Sequence, residues 1–179
     1  MWIWILVIIG SVLVDQVSKL LVVRFLADVG SVDVIPGIFR FTYVENRGAA
    51  FGMLSEHRWI FMVLSTVAIV ALLVYLWKFH PESYLACTAF SLIVGGGIGN
   101  MIDRVRLGWV IDFLDFCAFP KLWVWVFNIA DACVCVGAGL LILWCVLSMI
   151  AEAKQKKEKS EDGIEPCREE ATDSEKEEQ

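Results

Sequence analysis

Four apolar runs, about 2–23, 59–77, 84–102 and 122–150, each come close to or exceed the roughly 20 residues that carry a helix across a bilayer. They occupy most of a 179-residue chain, and 58% hydrophobic content with eight Trp and a mean hydropathy of +0.67 excludes an ordinary soluble domain. The first run resembles a secretory signal but lacks a basic start and carries Asp15 and Lys19, so it reads as a retained helix.

Charge is distributed unevenly. From Glu152 onward there are eleven acidic and six basic residues, which is −5 of the net −6. The body is nearly neutral and has no basic stripe, which argues against a nucleic-acid partner. The stretch 152–179 has almost no apolar residues and is expected to be a disordered charged tail behind a membrane domain at 1–151. Lys154, Lys156, Lys157 and Lys159 follow the fourth run directly, and positive charge beside a span marks the cytoplasmic side. Both termini are then cytoplasmic, and segments 24–58 and 103–121 face outward. In the first of these, Pro36-Gly37 marks a turn, and alternation through Phe39, Phe41 and Tyr43 marks a short strand. The fold class expected is an all-α membrane protein, with four transmembrane helices and a small extracytoplasmic β-hairpin or sheet in the first outer loop.

Polar residues inside the apolar runs are the informative ones, because a charge in hydrocarbon needs a partner, a wet cavity or a function. Asp15 and Lys19 come late in an outward span, while Asn100, Asp103 and Arg104 end another. Asn128 and Asp131 come early in an inward span, and Asp112 lies in the loop between the last two. All therefore map to one leaflet. Asp15 and Lys19 are spaced i, i+4, as an ion pair or a substrate contact requires. Asn128 and Asp131, spaced i, i+3, read as one face of a helix. Gly95–Gly97 remove side chains where another helix can approach. Arg104 can neutralise one of Asp103, Asp112 and Asp115, and Asp115 reads as a surface-loop residue.

Six Cys lack a CxxC pair, the only His are His57 and His80, and no metal or cofactor site is expected. Asp112 and Asp131 remain as two carboxylates without an obvious basic partner for both. Paired carboxylates that share a proton activate water in aspartic proteases. A proton-coupled transporter also uses intramembrane carboxylates, but one-leaflet clustering and the lack of an inverted repeat favour the hydrolase.

Five motifs in order, "DQVSK" (15–19), "NRGAAFG" (46–52), "GGGIGNMIDR" (95–104), "VIDFLDF" (110–116) and "FNIAD" (127–131), resemble the bacterial lipoprotein signal peptidase (signal peptidase II) family. The resemblance implies a membrane aspartyl endopeptidase that cuts prolipoproteins just before their diacylglyceryl-modified cysteine. It places catalytic roles on Asp112 and Asp131. Supporting or substrate-binding roles fall on Asp15, Lys19, Asn46, Gly48, Asn100, Asp103, Arg104 and Asn128. It further implies a site near the extracytoplasmic leaflet of the bacterial inner membrane, contact with membrane lipids, and inhibition by globomycin. Cys133, Cys135 and the long acidic tail depart from the family pattern without touching the aspartates.

Overall fold

Backbone in hydrocarbon must satisfy its own N–H and C=O groups, and helices do so within a single segment. The computed structural model describes residues 2–47, 58–79, 81, 83–118 and 125–162, and each apolar run forms a helix in it. The elements in order are α1 (Trp2–Leu26), β1 (Ser31–Ile35), β2 (Phe39–Asn46), α2 (Arg58–Phe79), α3 (Tyr84–Arg106), β3 (Val110–Phe116), β4 (Val126–Phe127) and α4 (Ile129–Asp162). All four helices are long and apolar enough to span a membrane.

The span in α3 is 56% buried, against 22% for α1 and none for α2, so α3 is the central helix. Its glycines explain how it reaches that position. A Cβ on Gly96 would collide with the Ala130 carbonyl oxygen, and one on Gly99 would lie 2.6 Å from Asp15 Oδ2. Gly96 therefore lets the start of α4 approach α3 backbone-close, and Gly99 leaves room for the Asp15 carboxylate between α1 and α3. Outward faces of α1 and α2 carry exposed Leu6, Leu13, Val63 and Val70, as lipid-facing surfaces do.

The strands form one antiparallel sheet in the order β1-β2-β3-β4. Pro36 and Gly37 (φ +75°) turn β1 into β2, closed by the Ile38 N–H donating to the Ile35 carbonyl at 3.0 Å. The expected hairpin is present, but the sheet is not confined to the first loop. Strands β3 and β4 come from the segment between α3 and α4. The chain enters β3 through Gly108 (φ +87°), whose N–H caps the Arg104 carbonyl at 3.1 Å. Val22 of α1 packs against Ile111 and Phe113, which seats the sheet on the end of α1.

An irregularity in β2 has a direct effect on the site. Phe41 pairs with Leu114, but Val44 pairs with Asp112 and Asn46 with Val110, so β2 carries one extra residue between. In regular register Glu45 would oppose Val110, and Asn46 would point to the opposite face. The bulge therefore turns Asn46 onto the face of Asp112.

The chain divides after Leu141 into two compact units. The second contains the rest of α4, which stays helical to Asp162, whereas the sequence reading ends the span near residue 150 and starts a disordered tail at 152. Ala, Glu, Gln and Lys in that stretch are all strong helix formers. At its other end α4 begins at Ile129 rather than near 122, because Val126 and Phe127 belong to β4.

Candidate active site

Lys19 is 2% exposed and carries a full set of partners. Its ammonium lies 2.9 Å from Asp15 Oδ2 and 2.8 Å from Asp103 Oδ2, and donates to Asn100 Oδ1 at 3.0 Å. An ammonium has three N–H donors, so none remains for a substrate. Of the two roles open to the Asp15–Lys19 pair in the sequence, the geometry supports the structural one, with Asp103 as a second counter-ion. Each carboxylate also reaches a peptide N–H. Asp15 Oδ1 accepts from Ala130 at 2.9 Å, and Asp103 Oδ2 accepts from Ile111 at 3.2 Å. Those residues immediately precede Asp131 and Asp112.

Asn128 and Asp131 are not one polar face inside a span. Asn128 is the N-cap of α4: its Oδ1 accepts from the Asp131 N–H at 2.9 Å, while Asp131 Oδ2 accepts from the Asn128 N–H at 3.3 Å. This reciprocal pair satisfies two of the orphan donors at a helix start. It also places the Asp131 carboxylate in the first turn, where the helix dipole favours negative charge.

Asp112 comes from β3 and is 2% exposed. Asn128 Nδ2 donates to its Oδ1 at 2.6 Å, and Asn46 Nδ2 donates to its Oδ2 at 2.8 Å. Asn100 Nδ2 donates to Asp131 Oδ1 at 2.7 Å, and Asn128 Nδ2 also reaches Asn100 Oδ1 at 3.1 Å. Three asparagines thus connect the two aspartates to each other and to Lys19. Among the described residues neither aspartate forms an ion pair, and no group of His, Cys, Asp or Glu is arranged to hold a metal. Burial pushes the Asp112 carboxyl up to about 6, with the Asp131 charge adding to the push and the Asn46 and Asn128 hydrogen bonds opposing it.

A buried two-carboxylate centre on a four-helix scaffold is chemistry that known proteins can be compared against. Residues 7–147 match the family model described as signal peptidase (SPase) II. The chain is 44% identical over 139 residues to the lipoprotein signal peptidase of Halothermothrix orenii, covering 78% of this chain and 92% of the relative. It is 43% identical over 155 residues to that of Clostridioides difficile, covering 86% and 99%. A solved structure described as a bacterial membrane enzyme superposes with a TM-score of 0.75 at 32% identity, over 83% of this chain and 90% of that one.

The chain belongs to the signal peptidase II family. It is an aspartyl protease of that type and a multi-pass membrane protein, and the transporter alternative has no support among the matches. The family motifs converge in space: Asp15, Lys19, Asn46, Asn100, Asp103, Asp112, Asn128 and Asp131 form one bonded cluster. Arg104 stands at its edge, donating to the Asn100 carbonyl at 3.4 Å rather than neutralising Asp103, whose cation is Lys19. Gly48 and most of its motif, like His57 and His80, lie outside the described residues.

Asp115 differs from its surface-loop reading. It is buried, pairs with Arg40 at 2.6 Å and accepts from Thr42 at 3.0 Å, because Arg40 is its cross-strand neighbour. That carboxylate holds the Arg40 guanidinium above its ordinary value. Gln16 was missed as a site residue. Its Nε2 shares two N–H donors among Asp15 Oδ2, Gly99 O and Asp103 Oδ1, at 3.2, 3.1 and 3.0 Å. Its position three residues before Lys19, on the same helix face, is the signal that identifies it.

Two outcomes are expected. Lys19→Met leaves Asp15 and Asp103 unpaired and lowers unfolding free energy by about 3–5 kcal/mol, measured by denaturant titration in detergent. Adding Asp15→Asn removes one orphaned charge and recovers part of that loss. The second outcome concerns pH. Asp112 is protonated in the folded state up to about 6, whereas an unfolded chain releases that proton near the ordinary value of 3.8. Folded protein binds the extra proton between those values, so this group's contribution to stability falls as pH rises through the window. Melting curves should therefore show Asp112→Asn gaining on wild type between about pH 4 and pH 6, with no further gain above.

Proposed function

We propose that Asp112 and Asp131 are the catalytic dyad of this protease, and that the bond they cut lies just before the lipid-modified cysteine of a prolipoprotein. The observation that carries the reading is the Asn128 bridge: one side chain binds the Asp112 carboxylate and caps the helix turn that holds Asp131. Carboxylates so linked in a buried site do not both ionise readily, so they share one proton near neutral pH. The names of the relatives, lipoprotein signal peptidases, supply the substrate class.

In the resting enzyme one aspartate is ionised and the other protonated. The ionised carboxylate takes a proton from water as the water oxygen bonds to the scissile carbonyl carbon. The protonated partner donates a hydrogen bond to the developing oxyanion. As the tetrahedral intermediate collapses, the C–N bond breaks and a dyad proton moves to the departing nitrogen. The products are a signal peptide with a free carboxyl group and a lipidated cysteine with a free amine. Asn100, Asn128 and Asn46 keep both carboxylates oriented through these steps, so little reorganisation accompanies the reaction.

The same reading orients the chain. Lys154, Lys156, Lys157 and Lys159 follow the fourth span and mark the cytoplasmic side of a bacterial inner membrane. The polar cluster ends α3 and starts α4, so it lies at the opposite, extracytoplasmic interface, with the sheet beside it. A substrate tethered by its acyl chains presents its cleavage site at that depth.

Loss of positioned acid–base chemistry costs about 10²–10⁴-fold per group. Asp112→Asn and Asp131→Asn should each nearly abolish cleavage of a diacylglyceryl-modified prolipoprotein, followed by mass shift, while both proteins stay folded and bind globomycin. Near wild-type cleavage by either variant would reject the dyad. For orientation, a cysteine at Ser31 in a background without native cysteines should react with an impermeant maleimide in intact spheroplasts, and one at Lys156 only after lysis. The reverse pattern would overturn the topology and leave the dyad untouched.

A further inference from the structure

The two aspartates reach the site on separate segments, β3 and α4, and each segment is anchored one residue before its aspartate. Asp103 holds the Ile111 N–H and Asp15 holds the Ala130 N–H. Beside the direct Asn128 bridge, the link between Asp15 and Asp103 therefore constrains the separation of the dyad. Lys19 supplies the charge for that link but cannot fix its geometry. On Asp103, both Lys19 and the Ile111 N–H bond to the same oxygen, Oδ2. A carboxylate held through one oxygen remains free to swing about that contact.

The other oxygen, Oδ1, receives the Gln16 amide at 3.0 Å. The same Nε2 lies 3.2 Å from Asp15 Oδ2 and 3.1 Å from the Gly99 carbonyl, so its two N–H donors are shared between both carboxylates and the backbone of α3. Gly99 permits this, since a Cβ there would crowd Asp15 Oδ2. We propose that Gln16 is a positioning residue for the dyad, locking the rotation of Asp103 and, through the Ile111 N–H, the placement of Asp112 relative to Asp131. Gln16 touches neither aspartate of the dyad and acts only through Asp15 and Asp103. The inference rests on the dyad reading above.

A displacement of about 1 Å at reacting groups is enough to cost on the order of 10²-fold in rate. Gln16→Met keeps the length and removes the donor. It should lower kcat by about that factor with KM for the lipidated substrate unchanged, while Lys19 keeps the fold and its melting transition. Gln16→Glu adds a test that a merely structural role does not pass. Ionised Glu has no donor for Asp103, whereas protonated Glu has an O–H. It would titrate against Asp15 and Lys19 on α1, Asp103 and Arg104 on α3, and Cys133 on α4.

The kcat of Gln16→Glu relative to wild type should therefore rise as pH is lowered, and that of Gln16→Met should not. Wild-type kcat in Gln16→Met, a pH-independent deficit in Gln16→Glu, or an effect confined to KM would each overturn the assignment. If Gln16→Met fails to fold, the pH ratio in Gln16→Glu still decides. Asp112→Asn run alongside separates the two readings. Cleavage by that variant rejects the dyad, whereas an inactive Asp112→Asn beside a fully active Gln16→Met rejects only the role of Gln16.

Discussion

The buried ammonium of Lys19 is the constraint on which the rest of the site depends. An unpaired cation in hydrocarbon is costly enough that structure must form around it, and here it gathers acceptors from α1 and α3. The two carboxylates it attracts are then held in place and become anchors for backbone elsewhere. They grip the peptide just before Asp112 and just before Asp131. An electrostatic requirement of the membrane is thereby converted into placement of the two buried aspartates, Asp112 and Asp131. Because the ammonium is saturated, its charge serves organisation rather than substrate binding.

The second organising element is the start of α4. A capping box is ordinarily a local device worth about 1 kcal/mol to a helix end. Here the capping acceptor Asn128 also holds Asp112, and the acidic partner is Asp131 itself. Helix initiation and the placement of Asp131 beside Asp112 are one arrangement, which explains why a carboxylate next to an apolar span is tolerated: it sits in the first turn of α4. The sheet contributes the other half, with a bulge in β2 that brings Asn46 to the face carrying Asp112.

Much of this was legible in the sequence. Four spans follow from run length, and Pro36-Gly37 gives the hairpin turn. The clustering of Asp15, Lys19, Asn100, Asp103, Asn128 and Asp131 at one end follows from alternating helix direction. The less legible parts depend on pairings between distant segments. Asp115 looked solvated because its partner Arg40 lies 75 positions away along the chain. Strands β3 and β4 were hidden because their partners lie across the sheet, and the apolar character of 126–127 merged them with the span that follows. The pattern Asn128-x-x-Asp131 is a capping signature in its own right, but apolar neighbours on both sides made it read as helix interior. The extension of α4 was masked by its charge, which suggests disorder more strongly than helix propensity suggests order.

The i, i+4 spacing of Asp15 and Lys19 also bears on how such a chain is made. α1 is synthesised and inserted before α3 exists, so Asp103 and Asn100 are absent when Lys19 first meets the bilayer. Asp15, 2.9 Å away on the same helix, gives the ammonium a counter-ion from the outset, and the segment enters lipid as a neutral unit. The later helices then find a charge pair already in place and dock against it. Because α4 follows the other three described helices, Asp131 joins Asp112 only once the fourth span has been made, and a shorter nascent chain carries the Asp15–Lys19 pair without the two-carboxylate centre.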